Sequence, residues 1–182
     1  AFRDSFEAAG GTIVANEAFA GTEVKDYSAQ LTAIMNAKPD CFFIPNQNNM
    51  VPMIVQQARK MGIDCQLLGC DSWDYDFLPE LIGADLCEGT LYTSGYSNGI
   101  ETAKDFYDSF VALNYFEPGF ASAMMYEAAK IVLNAIQTCQ SVDGATLAAA
   151  MAATDMDLPT GHLTFDENRN PVKACAIVKI EG

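Results

Sequence analysis

One carboxylate in this sequence stands where it can hold a positively charged ligand group. Asp71 follows a short apolar run at residues 65–68, which predicts a buried strand because turn residues bound it on both sides. Beyond the end of such a strand, in a partly dry cleft, a carboxylate makes strong charge-assisted hydrogen bonds with an ammonium group. The alternative is that Asp71 only caps the following turn. Trp73, the only tryptophan, either walls a pocket here or packs as a partly buried ring.

A second polar loop follows the neighbouring apolar run, and its members all carry amide side chains: Asn46, Gln47, Asn48 and Asn49, after Cys41–Ile44. Gln47 or Asn48 can hydrogen-bond a ligand or orient Asp71. Asn48 or Asn49 can instead cap the helix that contains Pro52, and for Asn49 we expect this role. Because ligands bind beyond the carboxyl ends of parallel strands, we expect both loops to open at one edge of a sheet.

The spacing of apolar residues predicts the elements that position these loops. Helices are expected over residues 1–9, 27–35, 51–61 and 77–82, and strands over 12–19, 41–44, 65–68 and 89–96. This alternation predicts an α/β protein with an open parallel sheet in flavodoxin-like order. A βα series normally begins with a strand, but this chain begins in a helix. We therefore expect the sheet to lack its first strand, which residues outside this sequence or a partner chain would supply.

The second half of the chain does not continue this alternation of strands and helices. A glycine- and serine-rich segment at 94–99 predicts a hinge or domain crossing. Helices are then expected over 101–114, 121–138 and 144–151, the last of them capped by Asp143, with a loop over 154–160. Strands at 161–165 and 174–180, joined by a turn at 166–171, predict an antiparallel tail.

Composition excludes several classes of partner. The chain has 24 acidic and 10 basic residues and a formal charge of −14, a field that repels nucleic acid and anionic membranes. No apolar segment approaches the roughly 20 residues that span a bilayer. No basic n-region is followed by an apolar h-region, so we expect no signal peptide within this sequence. The chain begins with Ala1 instead of Met, which indicates processing or truncation. With 182 residues, it suits one domain or parts of two.

Binding is favoured over catalysis. The sequence contains none of the usual nucleophile, phosphate-binding or zinc-binding motifs, so we predict no catalytic residue, metal or cofactor. The six cysteines form no CxxC pair, and the single histidine, His162, lies far along the chain from any candidate nucleophile. Asp71 with Asp74 or Asp76 can form a carboxylate pair, but a solvated acidic loop is the simpler interpretation.

Four stretches, in order, resemble those of a known family: QQARKMGI at 56–63, LLGCDSWD at 67–74, Pro118 with Tyr126-Glu127-Ala128, and GHLTFD with NPVK at 161–173. The first two belong to a longer matching string from Pro39 to Trp73, and the matches keep their order along nearly the whole chain. They resemble the periplasmic-type (type I) substrate-binding proteins of branched-chain amino acid ABC transporters. The second stretch is similar to the family's Leu-Gly-x-Asp-Gly-Trp loop.

The resemblance implies two α/β lobes that close on an amino acid. Residues 1–95 would form most of the C-terminal lobe, 96–160 a hinge crossing with helices of the N-terminal lobe, and 161–182 a tail hairpin and return crossing. The remaining N-terminal lobe, or a second chain, would complete the sheet and the cleft and would bind the ligand carboxylate. The protein would be extracytoplasmic, in the periplasm or as a cell-surface lipoprotein, and would pass its ligand to an ABC transporter permease.

Two other functions remain open at this point. The same two-lobe fold also serves ligand-sensing regulatory domains, which signal to a fused or partner protein. The third hypothesis is a flavodoxin-like enzyme subunit. The region upstream of Ala1 would separate transport from sensing, and a bound flavin would support the enzyme.

The resemblance also assigns expected roles to individual residues. Asp71 matches the family's anchor for the ligand amino group. Gln47 and Asn48 stand where the family often has paired tyrosines, which leaves room for a polar ligand side chain. Tyr96 and Phe120 can reach the ligand, although for both a packing role is the alternative. The expected ligand-binding residues are thus Asp71, Asn48, Gln47, Asn46, Trp73, Tyr96 and Phe120.

Overall fold

The computed structural model describes residues 2–21, 23–47, 49–74 and 78–181. Its helices are α1 (Phe2–Ala8), α2 (Ser28–Ala37), α3 (Val51–Lys60), α4 (Leu78–Ile82), α5 (Ala84–Cys87), α6 (Lys104–Asn114), α7 (Phe120–Cys139) and α8 (Gly144–Ala152). Its strands are β1 (Cys41–Ile44), β2 (Gln66–Gly69), β3 (Leu91–Ser94), β4 (Asp155–Leu158), β5 (Gly161–Phe165), β6 (Pro171–Val172) and β7 (Ala176–Lys179). The chain divides into two compact units, Ala1–Tyr92 with Lys179–Gly182, and Thr93–Val178.

The larger sheet has the strand order β1-β2-β3-β7. Strands β1 and β2 are parallel, with Cys41 opposite Gln66 and Ile44 opposite Gly69. Strands β2 and β3 are also parallel. The chain passes between the two units within β3 and again within β7. The predicted α/β class with a mostly parallel sheet is therefore confirmed.

Helix α3 shows how the first unit builds its core. Its apolar residues recur at helical spacing, so that Val51, Ile54, Val55 and Ala58 share one face, and all four are buried. Gly62 follows the helix with a φ of 87°, a left-handed conformation that glycine adopts without strain. This face packs in the same cluster as Leu31 of α2, and each fully buried aliphatic side chain contributes about 1.5–3 kcal/mol.

The strand expected over residues 12–19 is wrong. Residues 11–20 form no regular secondary structure. Side chains from 11 to 16 do alternate between half-buried and exposed, as in a strand. Among the described residues, however, the backbone of 12–20 makes no hydrogen bond to other backbone groups. The pattern of a strand is present without a partner strand.

The second unit contains an antiparallel sheet of order β4-β5-β6. The loop expected over 154–160 is wrong, because Asp155–Leu158 forms β4 and pairs with Gly161–Phe165 along its length. The two expected tail strands do not pair with each other. Instead β5 pairs with β6, and β7 lies beside β3 in the larger sheet. The predicted turn at 166–171 is present, with the Asp166 carboxylate accepting hydrogen bonds from the backbone N–H groups of Asn168 and Asn170.

The helices of the second unit agree closely with the sequence. Asp143 caps α8, as predicted, by accepting a hydrogen bond from the Thr146 N–H at 3.0 Å. Helix α7 buries Ala123, Ile131 and Ala135 on one stripe. In the part of the chain that the structure describes, no helix has the length and apolar character needed to cross a membrane.

Candidate ligand-binding site

The polar loop and the acidic loop begin side by side at the carboxyl ends of β1 and β2. The register places Ile44 opposite Gly69, the last residue of each strand. Asn46 and Asp71 both stand two residues beyond this pair. The parallel pairing therefore brings the two loops to one edge of the sheet, as the sequence predicts.

Trp73 fixes the acidic loop to the end of β1. Its side chain is 1% exposed, and its indole Nε1–H donates to the Ile44 carbonyl at 2.9 Å. The Ser72 hydroxyl donates to the Asn46 carbonyl, which adds a second link. The ring also lies against the backbone of Gly69, since a Cβ added there would come within 2.5 Å of the indole. Of its two expected roles, Trp73 thus has the packing environment of a core residue, which fixes the acidic loop to the end of β1.

Asp71 opens a short 3₁₀ turn that runs to Trp73. Its carbonyl accepts a hydrogen bond from the Asp74 N–H at 3.0 Å, which closes the turn. The side chain is exposed, and it makes no capping hydrogen bond and no ion pair with any described residue. Among the described residues, no contact therefore supports the alternative role of Asp71 as a turn cap. The carboxylate is presented to solvent from a loop whose base is fixed.

The residues of the polar loop differ in their exposure. Asn46 is half-buried, whereas Gln47 is exposed. The Gln47 carbonyl accepts from the Met50 N–H at 2.9 Å, and this turn leads into α3 with Met50 as its N-cap. The expected capping role of Asn49 is therefore wrong, because the helix begins one residue later than that role requires. Asn48 lies outside the described residues.

Tyr96 and Phe120 belong to the second unit. Tyr96 is 3% exposed and packs edge-on against the Phe106 ring, with centroids 5.9 Å apart. Phe120 begins α7, and a Cβ added to Gly95 would lie 3.1 Å from its ring. Both side chains thus make the packing contacts that were their alternative role, while Phe120 remains half-buried.

One buried ion pair was not predicted from the sequence. Glu127 of α7 is 3% exposed, and its Oε2 lies 2.8 Å from the Lys173 Nζ. Its other oxygen accepts a hydrogen bond from the Thr160 N–H at 2.7 Å, and Lys173 also donates to the Thr160 hydroxyl. Both charged residues lie in stretches that carry the family resemblance. Their pairing could not be predicted because 46 residues separate them.

His162 lies on β5 between two carboxylates on β4. Its Nδ1 is 2.8 Å from Asp157 Oδ1, and its Nε2 is 3.3 Å from Asp155 Oδ1. The hydrogen bond with Asp157, together with the charges of both aspartates, raises the pKa of the imidazole. All three side chains are exposed, and in the described part of the chain no group of three or more His, Cys, Asp or Glu side chains is placed to hold a metal ion.

Comparison with known proteins identifies the family. The family model for periplasmic binding proteins matches residues 1–182, so the chain belongs to the periplasmic binding protein family. A leucine-, isoleucine-, valine-, threonine- and alanine-binding protein of Pseudomonas aeruginosa is 24% identical over 144 residues, which is 79% of this chain and 38% of that protein.

Solved structures agree with this assignment. A leucine-binding protein, LivK, from Thermotoga maritima has a TM-score of 0.86 and 28% identity over 99% of this chain and 52% of its own. The branched-chain amino acid transporter substrate-binding protein LivJ from Streptococcus pneumoniae, solved with isoleucine, has a TM-score of 0.77 and 30% identity over 98% and 54%. The predicted resemblance to these binding proteins is confirmed. The chain spans about half the length of these solved relatives.

Proposed function

We propose that this chain is part of an extracytoplasmic solute-binding protein that captures an amino acid, branched-chain or related, and delivers it to an ABC transporter permease. The proposal is supported by membership of the periplasmic binding protein family and by similarity to LivK and to LivJ with its isoleucine. The observation that carries it is the Asp71 carboxylate, which is exposed on a turn held by the buried Trp73.

In this proposal Asp71 holds the ammonium group of the ligand. A charge-assisted hydrogen bond to a fixed carboxylate is about twice as strong as a neutral one, and it strengthens further when closure excludes water. The hydrogen bonds from Ser72 to Asn46 of the polar loop and from Trp73 to the end of β1 keep the carboxylate in place before the ligand arrives, which lowers the ordering cost of binding. Asn46, Gln47 and Asn48 then provide amides for polar groups of the ligand.

The opposite wall of the cleft is assigned to polypeptide outside this sequence. That wall would bind the ligand carboxylate, and the two walls would close over the amino acid. Because the chain spans about half of its solved relatives, the binding experiment belongs to the complete polypeptide.

Calorimetry of the complete polypeptide against a panel of α-amino acids tests the proposal. We expect micromolar or tighter binding of at least one of them, lost by a factor of 100 or more in Asp71→Ala, about 3 kcal/mol. Asp85→Ala is the matched control, because it removes an exposed carboxylate from the same unit without touching either loop. Wild-type affinity in Asp71→Ala, or no amino acid bound at all, would reject the proposal.

A further inference from the structure

Asn98 and Gly99 form the only Asn-Gly pair in the chain, and they lie in an exposed turn. The Ile100 N–H donates to the Ser97 carbonyl at 3.0 Å, which closes a β-turn. Asn98 and Gly99 are its two central residues, and both are exposed. A glycine after an asparagine leaves its backbone nitrogen open to the asparagine side chain, because glycine has no Cβ to hinder the approach.

Neither of these two residues is locked in a helix or a sheet. The Gly99 N–H donates to the Ser97 hydroxyl at 3.3 Å, and among the described residues it makes no hydrogen bond to a backbone group. The Asn98 Nδ2 donates to the Glu117 Oε2 at 2.8 Å. Because this hydrogen bond is exposed and competes with water, it opens readily in solution. The Asn98 side chain and the Gly99 nitrogen are therefore able to meet.

Their meeting leads to a defined covalent change. The Gly99 nitrogen attacks Asn98 Cγ, a C–N bond forms there, and the bond from Cγ to Nδ2 breaks. The proton of the Gly99 N–H leaves with the side-chain NH₂ group as ammonia, and a cyclic succinimide remains. Water then adds to the ring. Opening at Cγ gives aspartate, whereas opening at the backbone carbonyl carbon gives isoaspartate, whose main chain runs through the former side chain. No electrons are transferred, and water is the co-reactant.

The product has an unfavourable neighbour in Glu117. The Asn98 amide donates to the Glu117 carboxylate, but after deamidation two carboxylates stand opposite each other at this position. Like charges at hydrogen-bond distance repel. Glu117 also accepts a hydrogen bond from the hydroxyl of Tyr107 on α6, which raises the pKa of Tyr107 and holds the carboxylate near the turn. The contact between the turn and the segment before α7 is therefore lost in the product.

We propose that Asn98 is a site of spontaneous deamidation, and that its product releases the turn at 97–100 from Glu117. The change lies in the segment that follows β3, and β3 is one of the two strands within which the chain passes between its units. In the isoaspartate form the main chain of this segment is also longer. The inference does not rest on the proposed function, because it concerns the covalent chemistry of the chain itself.

Peptide mapping by mass spectrometry, after incubation of the folded 182-residue chain at mildly alkaline pH, tests the deamidation. We expect Asn98 to convert at least about tenfold faster than Asn114, an exposed asparagine followed by the bulky Tyr115, with isoaspartate as the main product. Gly99→Ala is the matched variant. Its Cβ meets nothing closer than 3.7 Å, so the fold is kept, and conversion should slow by about tenfold or more.

Two results of this experiment would overturn the proposal. One is conversion of Asn98 no faster than that of Asn114. The other is an unchanged rate in Gly99→Ala, because the added methyl group must hinder attack by the backbone nitrogen. A urea transition measured before incubation confirms that the wild type and the variant are both folded.

A double-mutant cycle tests the effect of the product on the turn. Asn98→Asp reproduces the aspartate form and should lower the urea midpoint more than the neutral Asn98→Ser. In a Glu117→Gln background this excess should disappear, since the amide does not repel a carboxylate. Added salt should reduce the excess in the wild-type background, because both groups are exposed. An excess that is the same with and without Glu117 would overturn the proposed release.

Discussion

Two carboxylates, one in each unit, show opposite relations to their surroundings. Glu127 is 3% exposed and both of its oxygens are occupied, one by Lys173 and the other by the Thr160 N–H. Asp71 is exposed and makes no hydrogen bond or ion pair through its side chain with a described residue. A buried charge needs such partners, because an unpaired one costs several kcal/mol. The first carboxylate is thus committed to the fold, and the second is available to a ligand.

The two regions also differ in what holds them. Glu127 ties α7 to the segment before β5 and to the segment after β6, so it joins distant parts of the chain directly. Asp71 depends instead on its neighbours Ser72 and Trp73, which fix the loop while leaving the carboxylate free of contacts among described residues. Substitution should accordingly affect stability at Glu127 and binding at Asp71.

The largest expected stability effect follows removal of Glu127. Glu127→Ala leaves the Lys173 ammonium, whose side chain is only 14% exposed, without its counterion and the buried Thr160 N–H without its acceptor, so the free energy of unfolding should fall by about 3–5 kcal/mol. Urea denaturation of the 182-residue chain measures this. Lys104→Ala breaks an exposed ion pair with Asp108 and should leave the midpoint nearly unchanged. Equal midpoints for both variants would mean that the Glu127 pair is not structural.

A smaller effect is expected at the base of the acidic loop. Gly69→Ala places a Cβ 2.5 Å from the Trp73 ring, which must move, so the free energy of unfolding should fall by about 1–3 kcal/mol. The matched control is Gly99→Ala, whose Cβ meets nothing closer than 3.7 Å and should have little effect. A Gly69→Ala variant as stable as Gly99→Ala would show that the indole does not fix this loop.

The smallest effect concerns pH. The pKa of His162 is raised in the folded state by its hydrogen bond with Asp157, so the protonated imidazole stabilises the fold. This contribution is fully present below the unfolded-state pKa of about 6.5 and is lost as pH rises through the raised pKa. His162→Gln should therefore lower the urea midpoint at pH 5 and match the wild type at pH 9. A difference between the two proteins that does not vary with pH would contradict this assignment.

Local signals in the sequence predicted much of the fold. The apolar face of α3, the buried run of β1 and the Asp143 cap of α8 each lie within a few residues, and each matches the structure. The errors involve pairing across longer distances. Residues 12–19 carry a strand pattern without a partner, and β4 alternates aspartate with apolar residues in a run too short and too acidic to indicate a strand.

The sequence predicted the position of the site, but it predicted the roles of the individual residues only in part. The parallel strands bring Asn46 and Asp71 to one edge, which follows from the βαβ pattern alone. The sequence could not decide between the two roles of Trp73, because its partner, the Ile44 carbonyl, is 29 residues away. The ligand roles of the seven expected residues remain predictions: Asp71, Asn46, Gln47, Asn48, Trp73, Tyr96 and Phe120.

The central claim is that the Asp71 carboxylate binds the ligand ammonium group, and a pair of matched ligands tests it most directly. Calorimetry of the complete polypeptide compares the best-binding amino acid with the carboxylic acid that has the same side chain but no amino group, in wild type and in Asp71→Asn. The wild type should prefer the amino acid by about 100-fold or more, and the variant by less than about tenfold, since the neutral amide loses the charge-assisted bond. An undiminished preference in Asp71→Asn would contradict the claim.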